Sequence, residues 1–236
     1  METAFGQALI STIHGIPQRF RMTMQGGPSI MMDCRDFLKT REDEDRLLDG
    51  IELPDNGAVL DFGCGAGRHL SKVRRRSATI HCYGIDICDL LLGYCRRTVS
   101  SPSTFFKTIE DLPPCSFDWI MLMGNGLGVL GSEQETTATL KTLVNLLARN
   151  GRILIETGNP FGAGYCSPCF TIEYGLRQDG PFHWGYSDRA WISRTLQGLG
   201  CKVQIQSSKA PGGMFFFAIG QTGEQGTPAD SVKPCC

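Results

Sequence analysis

The residues whose types and spacing point to chemistry are Asp61, Gly63, Gly65, Gly67, Asp86 and His183. The glycines fall at every second position between an apolar run, Ala58-Val59-Leu60, and a helical pattern that buries Leu70 and Val73. Glycine tolerates positive φ and lets a ligand approach the backbone closely. Such a turn is expected to bring amide N–H groups to a ligand at a helix N-terminus. Asp86 follows about 20 residues later, where a carboxylate accepts hydrogen bonds from both hydroxyls of a ribose. Asp61 stands just ahead of the turn, and a carboxylate there repels a pyrophosphate. The third glycine also comes two residues after the second, not three as in a dinucleotide turn. Charge and spacing agree on a nucleoside with a cationic amino-acid tail, whose ammonium offers donors to Asp61.

These residues need a parallel sheet to bring them together, and the apolar runs supply one. Strands are expected at residues 58–61, 79–86, 104–108, 117–123 and 152–157, with helices between them; residues 117–123 are nearly all apolar, as in a strand covered on both faces. Ser132 and Glu135 form a capping box for a helix that buries Leu140, Leu143, Val144 and Leu147 and ends at Asn150-Gly151. Ligands of such sheets sit at the carboxyl ends of the strands, so Asp61, Asp86 and Asn125 converge.

The alternation breaks at residues 158–186, an insertion rich in glycine, proline and aromatic residues. It is expected to hold a hairpin turning at Asp179-Gly180. A helix capped by Ser187-Asp188 follows, then strands 201–207 and 214–220, which the short Pro211-Gly212-Gly213 link makes antiparallel. Three regions result: a helical N-terminal segment (1–55), the α/β domain (56–220) and a flexible tail (221–236). In the first, one amphipathic helix runs to about Gly50, and a flexible stretch from Met22 to Pro28 lets Gly26-Gly27 hinge a lid.

Composition sets outer limits. Of 236 residues 41% are hydrophobic and the net charge is −1, which gives no electrostatic reason for wholesale nucleic-acid binding. No apolar run reaches the roughly 18 residues of a membrane span, and the first residues lack the basic flank of a secretory signal, so a cytoplasmic location is expected. The 11 cysteines are scattered; Cys64, Cys82 and Cys201 read as small buried hydrophobes. Cys166 and Cys169 form a lone C-x-x-C, and no metal is expected.

The stretch from Leu60 to Gly67 resembles the first motif of class I S-adenosylmethionine-dependent methyltransferases. Gly84-Ile85-Asp86-Ile87 is similar to their second-strand acidic motif, and Glu110-Asp111-Leu112-Pro113 with Ser116-Phe117-Asp118 to their passage from strand 3 to strand 4. The likeness covers residues 56–157 and extends to 220 through the closing helix and hairpin. It implies a Rossmann-like, seven-stranded mixed sheet in the order 3-2-1-4-5-7-6, strand 7 antiparallel, with helices on both faces. It also implies S-adenosyl-L-methionine as cofactor and S-adenosyl-L-homocysteine as product. By position, Gly63, Cys64, Gly65 and Gly67 line the methionyl part, and Asp86 with Ile87 meets the ribose. Thr108 and Ile109 flank the adenine, and Asn125 and Leu127 lie beside the sulfonium. Thr108 departs from the aspartate that many relatives carry there.

Methyl transfer from a sulfonium is an in-line displacement that needs alignment, exclusion of water and, for a protonated acceptor, a base. Relatives often build the acceptor pocket in the place of the aromatic insertion, and its His183 is the candidate base or acceptor orienter. Asn159-Pro160-Phe161 follows the fifth strand, not the fourth, and is not the motif of amino-group methyltransferases. A small apolar or aromatic acceptor is expected, not a nucleic acid. Two alternatives stand beside this reading: a fold that holds the cofactor without turnover, and an arsenite-type methyltransferase using Cys166 and Cys169.

Overall fold

The computed structural model describes residues 2–113, 116–208 and 216–222. In chain order the elements are α1 (Ala4–Ile13), β1 (Arg19–Met24), β2 (Ser29–Asp33), α2 (Glu42–Gly50), β3 (Ala58–Phe62), α3 (Arg68–Arg76), β4 (His81–Ile85), α4 (Asp89–Thr98), β5 (Ser103–Phe106) and β6 (Phe117–Leu122). There follow α5 (Glu133–Asn145), β7 (Leu147–Thr157), β8 (Tyr165–Cys166), β9 (Cys169–Tyr174), β10 (Arg177–His183), β11 (Tyr186–Ser187), α6 (Arg189–Gly198), β12 (Cys201–Ser207) and β13 (Phe216–Thr222).

Seven strands form the main sheet in the order β12-β13-β7-β6-β3-β4-β5. The five strands from β3 to β7 run parallel, and β13 is antiparallel to both of its neighbours. This is the order and polarity that the resemblance implied. Strand residues alternate between faces. Leu60, Ile120, Ile153 and Ile155 pack with α5 and α6 residues such as Leu140 and Ile192. Val59, Trp119, Met121 and Leu154 pack with Leu48, Leu70 and Val73 from α2 and α3. Alternation therefore turns Asp61 and Glu156 toward α2 and α3, where both lie buried.

The N-terminal segment differs from the expected helical one. α2 does end at Gly50, but Phe37 precedes it in a 3-10 turn, and Met22 to Met24 belong to β1. The Gly-Gly-Pro stretch turns a hairpin between β1 and β2, and β1 then pairs antiparallel with β9 of the aromatic insertion, Met22 opposite Ile172. A four-stranded sheet, β10-β9-β1-β2, thus joins the two regions. Its inner face places Phe20, Met22, Ile172 and Phe182 on α1, whose Ala8 and Leu9 rest on Cys88 and Leu91 of the main domain.

Three smaller expectations shift as well. α5 stops at Asn145, and Asn150-Gly151 lies within β7, because the chain begins its strand directly after Leu146. The insertion hairpin turns at Gly175, whose φ of +59° only glycine adopts freely, and Asp179-Gly180 marks an irregularity in β10. Gln221 and Thr222, expected in the tail, complete β13, while Pro211-Gly212-Gly213 and residues 223–236 lie outside the described residues. Cys64, Cys82 and Cys201 are buried as expected. Among the described residues no helix is long and apolar enough to cross a membrane.

Candidate functional site

The glycine turn fills the space between β3 and α3, and each of its glycines has positive φ: +77° at Gly63, +53° at Gly65 and +77° at Gly67. Its amides do not stand free, as the sequence suggested. Those of Gly63 and Cys64 both donate to the Ile85 carbonyl at 2.9 Å, and that of Gly67 donates to the Cys64 carbonyl at 2.8 Å. The amide of Gly65 donates to Asp86 Oδ2 at 2.9 Å. All three glycines serve here through conformation, and Gly63 and Gly65 through open space as well. A Cβ on Gly65 would meet nothing within 4 Å, and one on Gly63 only the Gly126 Cα at 3.9 Å.

Asp86 directly follows β4 and is half-buried beside this space. Its Oδ1 accepts from the Cys88 amide at 2.9 Å, and with the Gly65 bond the carboxylate is held in one orientation. Burial raises its affinity for a proton, and the two amides partly reverse that. Each oxygen keeps a further lone pair for an outside donor. Ile87, next in the chain, is 63% exposed, an apolar side chain left uncovered at the rim.

Asp61 is the most unusual group. It is 1% exposed, yet neither of its oxygens accepts a hydrogen bond among the described residues. The nearest nitrogen of a basic side chain is His69 Nδ1 at 3.5 Å. His69 projects from the first turn of α3 and is buried. Its Nε2 lies 3.1 Å from Arg68 Nε and 3.7 Å from Glu44 Oε1. Glu44, on α2, is fully buried; it accepts from the Arg41 amide at 2.6 Å and from Arg41 Nη1 and Arg68 Nη2, both at 3.1 Å. Arg41 reaches on to Glu156 at the end of β7, and Glu156 Oε2 accepts from the Gly124 amide at 2.7 Å. One polar chain therefore ties the ends of β3, β6 and β7 to the N-terminal segment.

The electrostatics follow from this crowding. Burial opposes ionisation of Glu44, but His69 and Arg68 overcome it and hold the carboxyl at about 2. Burial opposes protonation of His69, but Asp61 and Glu44 outweigh it and raise its pKa. At Glu156 burial prevails over Arg41, and its pKa is raised.

The remaining expected site residues divide. Asn125 sits at φ +56° after β6; its Nδ2 donates to the Gly185 carbonyl at 3.2 Å and its Oδ1 accepts from Thr157 Oγ1 at 3.1 Å. Its side chain pins the aromatic insertion to the sheet. Leu127, 2% exposed, packs in the core face shared with α5 and α6. Thr108 is exposed and donates to Asp111 Oδ2 at 3.2 Å, while Ile109 packs partly against that same core. His183 pairs with Cys169 on the outer face of the small sheet, opposite to Phe182; its Nδ1 lies 2.8 Å from the Ser167 carbonyl and it is exposed. The insertion gathers aromatic rings: Tyr186 lies between the buried Phe170 and the exposed Phe161, at ring separations of 6.5 and 5.3 Å.

Sequence reasoning missed the Glu44–His69–Arg68 group. The signal was present. Glu44, Leu48 and Ile51 recur at i, i+4 and i+7, which puts the glutamate on the buried stripe of its helix.

Comparison with known proteins agrees with this fold. Residues 59–151 match the sequence family described as a methyltransferase domain. YqeM of Bacillus subtilis (strain 168), provisionally named a methyltransferase, is 24% identical over 114 residues, which are 46% of this chain and 45% of that protein. A tRNA U34 carboxymethyltransferase of Aliivibrio fischeri (strain MJ11) is 32% identical over 144 residues, 56% of this chain and 42% of that one. The chain thus spans less than half the length of these curated relatives. Among solved structures, a SAM-dependent methyltransferase from Bacteroides fragilis in complex with S-adenosyl-L-homocysteine superposes with a TM-score of 0.77 at 20% identity, over 94% of this chain and 95% of that one. Residues 59–151 thus resemble a methyltransferase domain, and the sheet built around them shares its fold with the Bacteroides fragilis SAM-dependent methyltransferase.

Proposed function

We propose that this protein transfers a methyl group from S-adenosyl-L-methionine to a small-molecule acceptor bound between the glycine turn and the aromatic insertion. The observation that carries the reading is Asp61, a buried carboxylate without a hydrogen-bond donor, at the end of the strand that leads into the open glycine turn. A buried carboxylate whose oxygens accept no hydrogen bond is costly, and beside the His69 imidazole at 3.5 Å the ammonium of a methionyl tail is a further cation that suits it. Asp86, held by two amides, takes the ribose hydroxyls. Ile87 offers apolar surface to the adenine, with Thr108 and Ile109 on its other side. Gly63 and Gly65 leave room for the tail, while Gly67, close against Val99 and Cys95, and the buried Cys64 shape the turn that lines it. Asn125 and Leu127 act by fixing the wall of the site, since the Asn125 amide is already bonded at both atoms.

The cofactor supplies an activated methyl group, and the chain's own residues align the acceptor with it. With the cofactor bound, an acceptor lone pair would bond to its methyl carbon as the carbon–sulfur bond breaks, the electron pair going to sulfur. Phe161, Phe170 and Tyr186 supply an apolar wall that excludes water. Burial pushes the Tyr186 hydroxyl up to about 12, so it remains a donor that orients the acceptor and does not serve as base at neutral pH.

Calorimetric titration with S-adenosyl-L-homocysteine and, separately, NAD tests the cofactor. Binding of the homocysteine compound and not of NAD is expected; the reverse would overturn the reading. Exposure and the Ser167 contact suit His183 to holding β10 in place, so His183→Ala is expected to leave turnover within about twofold of the parent. A loss of about a hundredfold would restore it as general base. The 32% identity to a protein named for tRNA favours one second reading, an RNA acceptor. The net charge of −1 argues against it, and a gel-shift titration with tRNA decides.

A further inference from the structure

We infer that His69 is the positioning residue for Asp61, holding that carboxylate aimed at the amino-acid tail of the ligand, with Glu44 of the N-terminal segment supporting the imidazole from behind. The inference rests on the cofactor proposed above and assigns the device that makes its tail subsite work.

The argument starts from the ring nitrogens. Arg68 carries donors only, so its Nε, 3.1 Å from His69 Nε2, meets a lone pair there when the ring is neutral. The single ring proton is then on Nδ1, which faces Asp61 Oδ2 at 3.5 Å. When the ring is protonated, Nε2–H faces Glu44 Oε1 at 3.7 Å and Nδ1–H still faces Asp61. In both states Asp61 sees a donor edge of fixed orientation. That contact is long for a hydrogen bond; it orients the carboxylate electrostatically without consuming its lone pairs. An apolar side chain would fill the same volume beside Leu70 and Val73, so packing alone does not call for an imidazole here.

The charged groups around the ring come from three elements: Asp61 from β3, Glu44 from α2 and Arg68 from α3 itself. Arg68 also donates from Nη1 to the carbonyls of Asp36 and Lys39, at 2.7 and 2.9 Å. The N-terminal segment is thereby fastened to the residues behind the glycine turn, and through His69 it helps to set the direction of Asp61.

Two ligands separate positioning from mere stability. S-adenosyl-L-homocysteine carries the amino-acid tail; 5′-methylthioadenosine carries the same nucleoside and sulfur without it. His69→Leu is expected to weaken the first about tenfold and leave the second within about twofold. Asparagine places an amide N–H near the Nδ1 position, so His69→Asn is expected to keep affinity for the homocysteine compound to within about threefold. Glutamine reaches the Nε2 position instead, so His69→Gln is expected to lose what leucine loses. Equal losses for both ligands, or none, overturn the inference. If His69→Leu does not fold, the contrast between asparagine and glutamine carries the test. Failure of the unmodified protein to bind S-adenosyl-L-homocysteine overturns the cofactor reading itself, and the inference with it.

Discussion

Asp86→Ala is expected to lower the affinity for S-adenosyl-L-homocysteine by about a hundredfold or more. Two hydrogen bonds to a charged group are lost together, each worth roughly 1.5 kcal/mol or above. The carboxylate also acts on the protein: it receives the amides of Gly65 and Cys88 at 2.9 Å each. Alanine therefore removes the ribose acceptors and releases the turn that shapes the tail subsite. Asp86→Asn keeps one carbonyl acceptor, and an intermediate loss of about tenfold is expected. Calorimetry on the three proteins measures both values. An alanine variant that binds within about threefold of the parent would remove Asp86 from the site.

The second large effect concerns stability. Glu44→Ala takes a fully buried carboxylate from between Arg41, Arg68 and His69. Removing one partner of a buried ionic group costs about 3 kcal/mol or more, because the partners stay desolvated. For a chain of this size that lowers Tm by about 10 °C. The pH dependence has a definite sign. Glu44 titrates at about 2 when folded, against 4.5 ordinarily, so its stabilisation is full above 4.5 and lost as pH falls toward 2. His69 is shifted upward from 6.5, so its contribution is full below 6.5 and lost as pH rises through the folded value. Together they place their greatest joint contribution between about pH 4.5 and 6.5. Thermal melts of the parent and of Glu44→Gln across pH 3 to 8 isolate the carboxylate: the difference between them is expected to shrink below pH 4.5. A difference that stays constant down to pH 3 refutes the assignment.

Much of the sheet was legible because its strands carry their own signal. Ala58 to Leu60 and Phe117 to Leu122 are runs that only a doubly covered strand accommodates, and the capping box of Ser132 marks its helix without tertiary help. The placement of Asp61 and Asp86 at the strand ends beside the turn was legible for a similar reason, since each stands at a fixed distance from the glycines. The cap sheet was not. Met22-Thr23-Met24 pairs with Ile30 and Ser29 in its own hairpin but also with Thr171 and Ile172, and no local pattern reveals a partner so far along the chain. The run from Glu42 to Asp45 conceals its buried member in another way. Four acidic residues in succession look like a solvated face, and only their phase relative to Leu48 shows that one of them is interior.

The shared cap sheet also sets an order of events. Arg21 pairs with Glu173 across about 150 residues, and contacts of that separation form late because a long loop must close first. During synthesis β1 and β2 emerge long before β9 and β10, so the N-terminal hairpin waits while β3 to β7 assemble behind it. Chains cut short before residue 169 are left with the edge of β1 uncovered, a strand ready to pair with whatever is nearest. The arrival of the insertion thus acts as a checkpoint on completeness: the four-stranded sheet over α1 is completed only on a chain translated through β9 and β10.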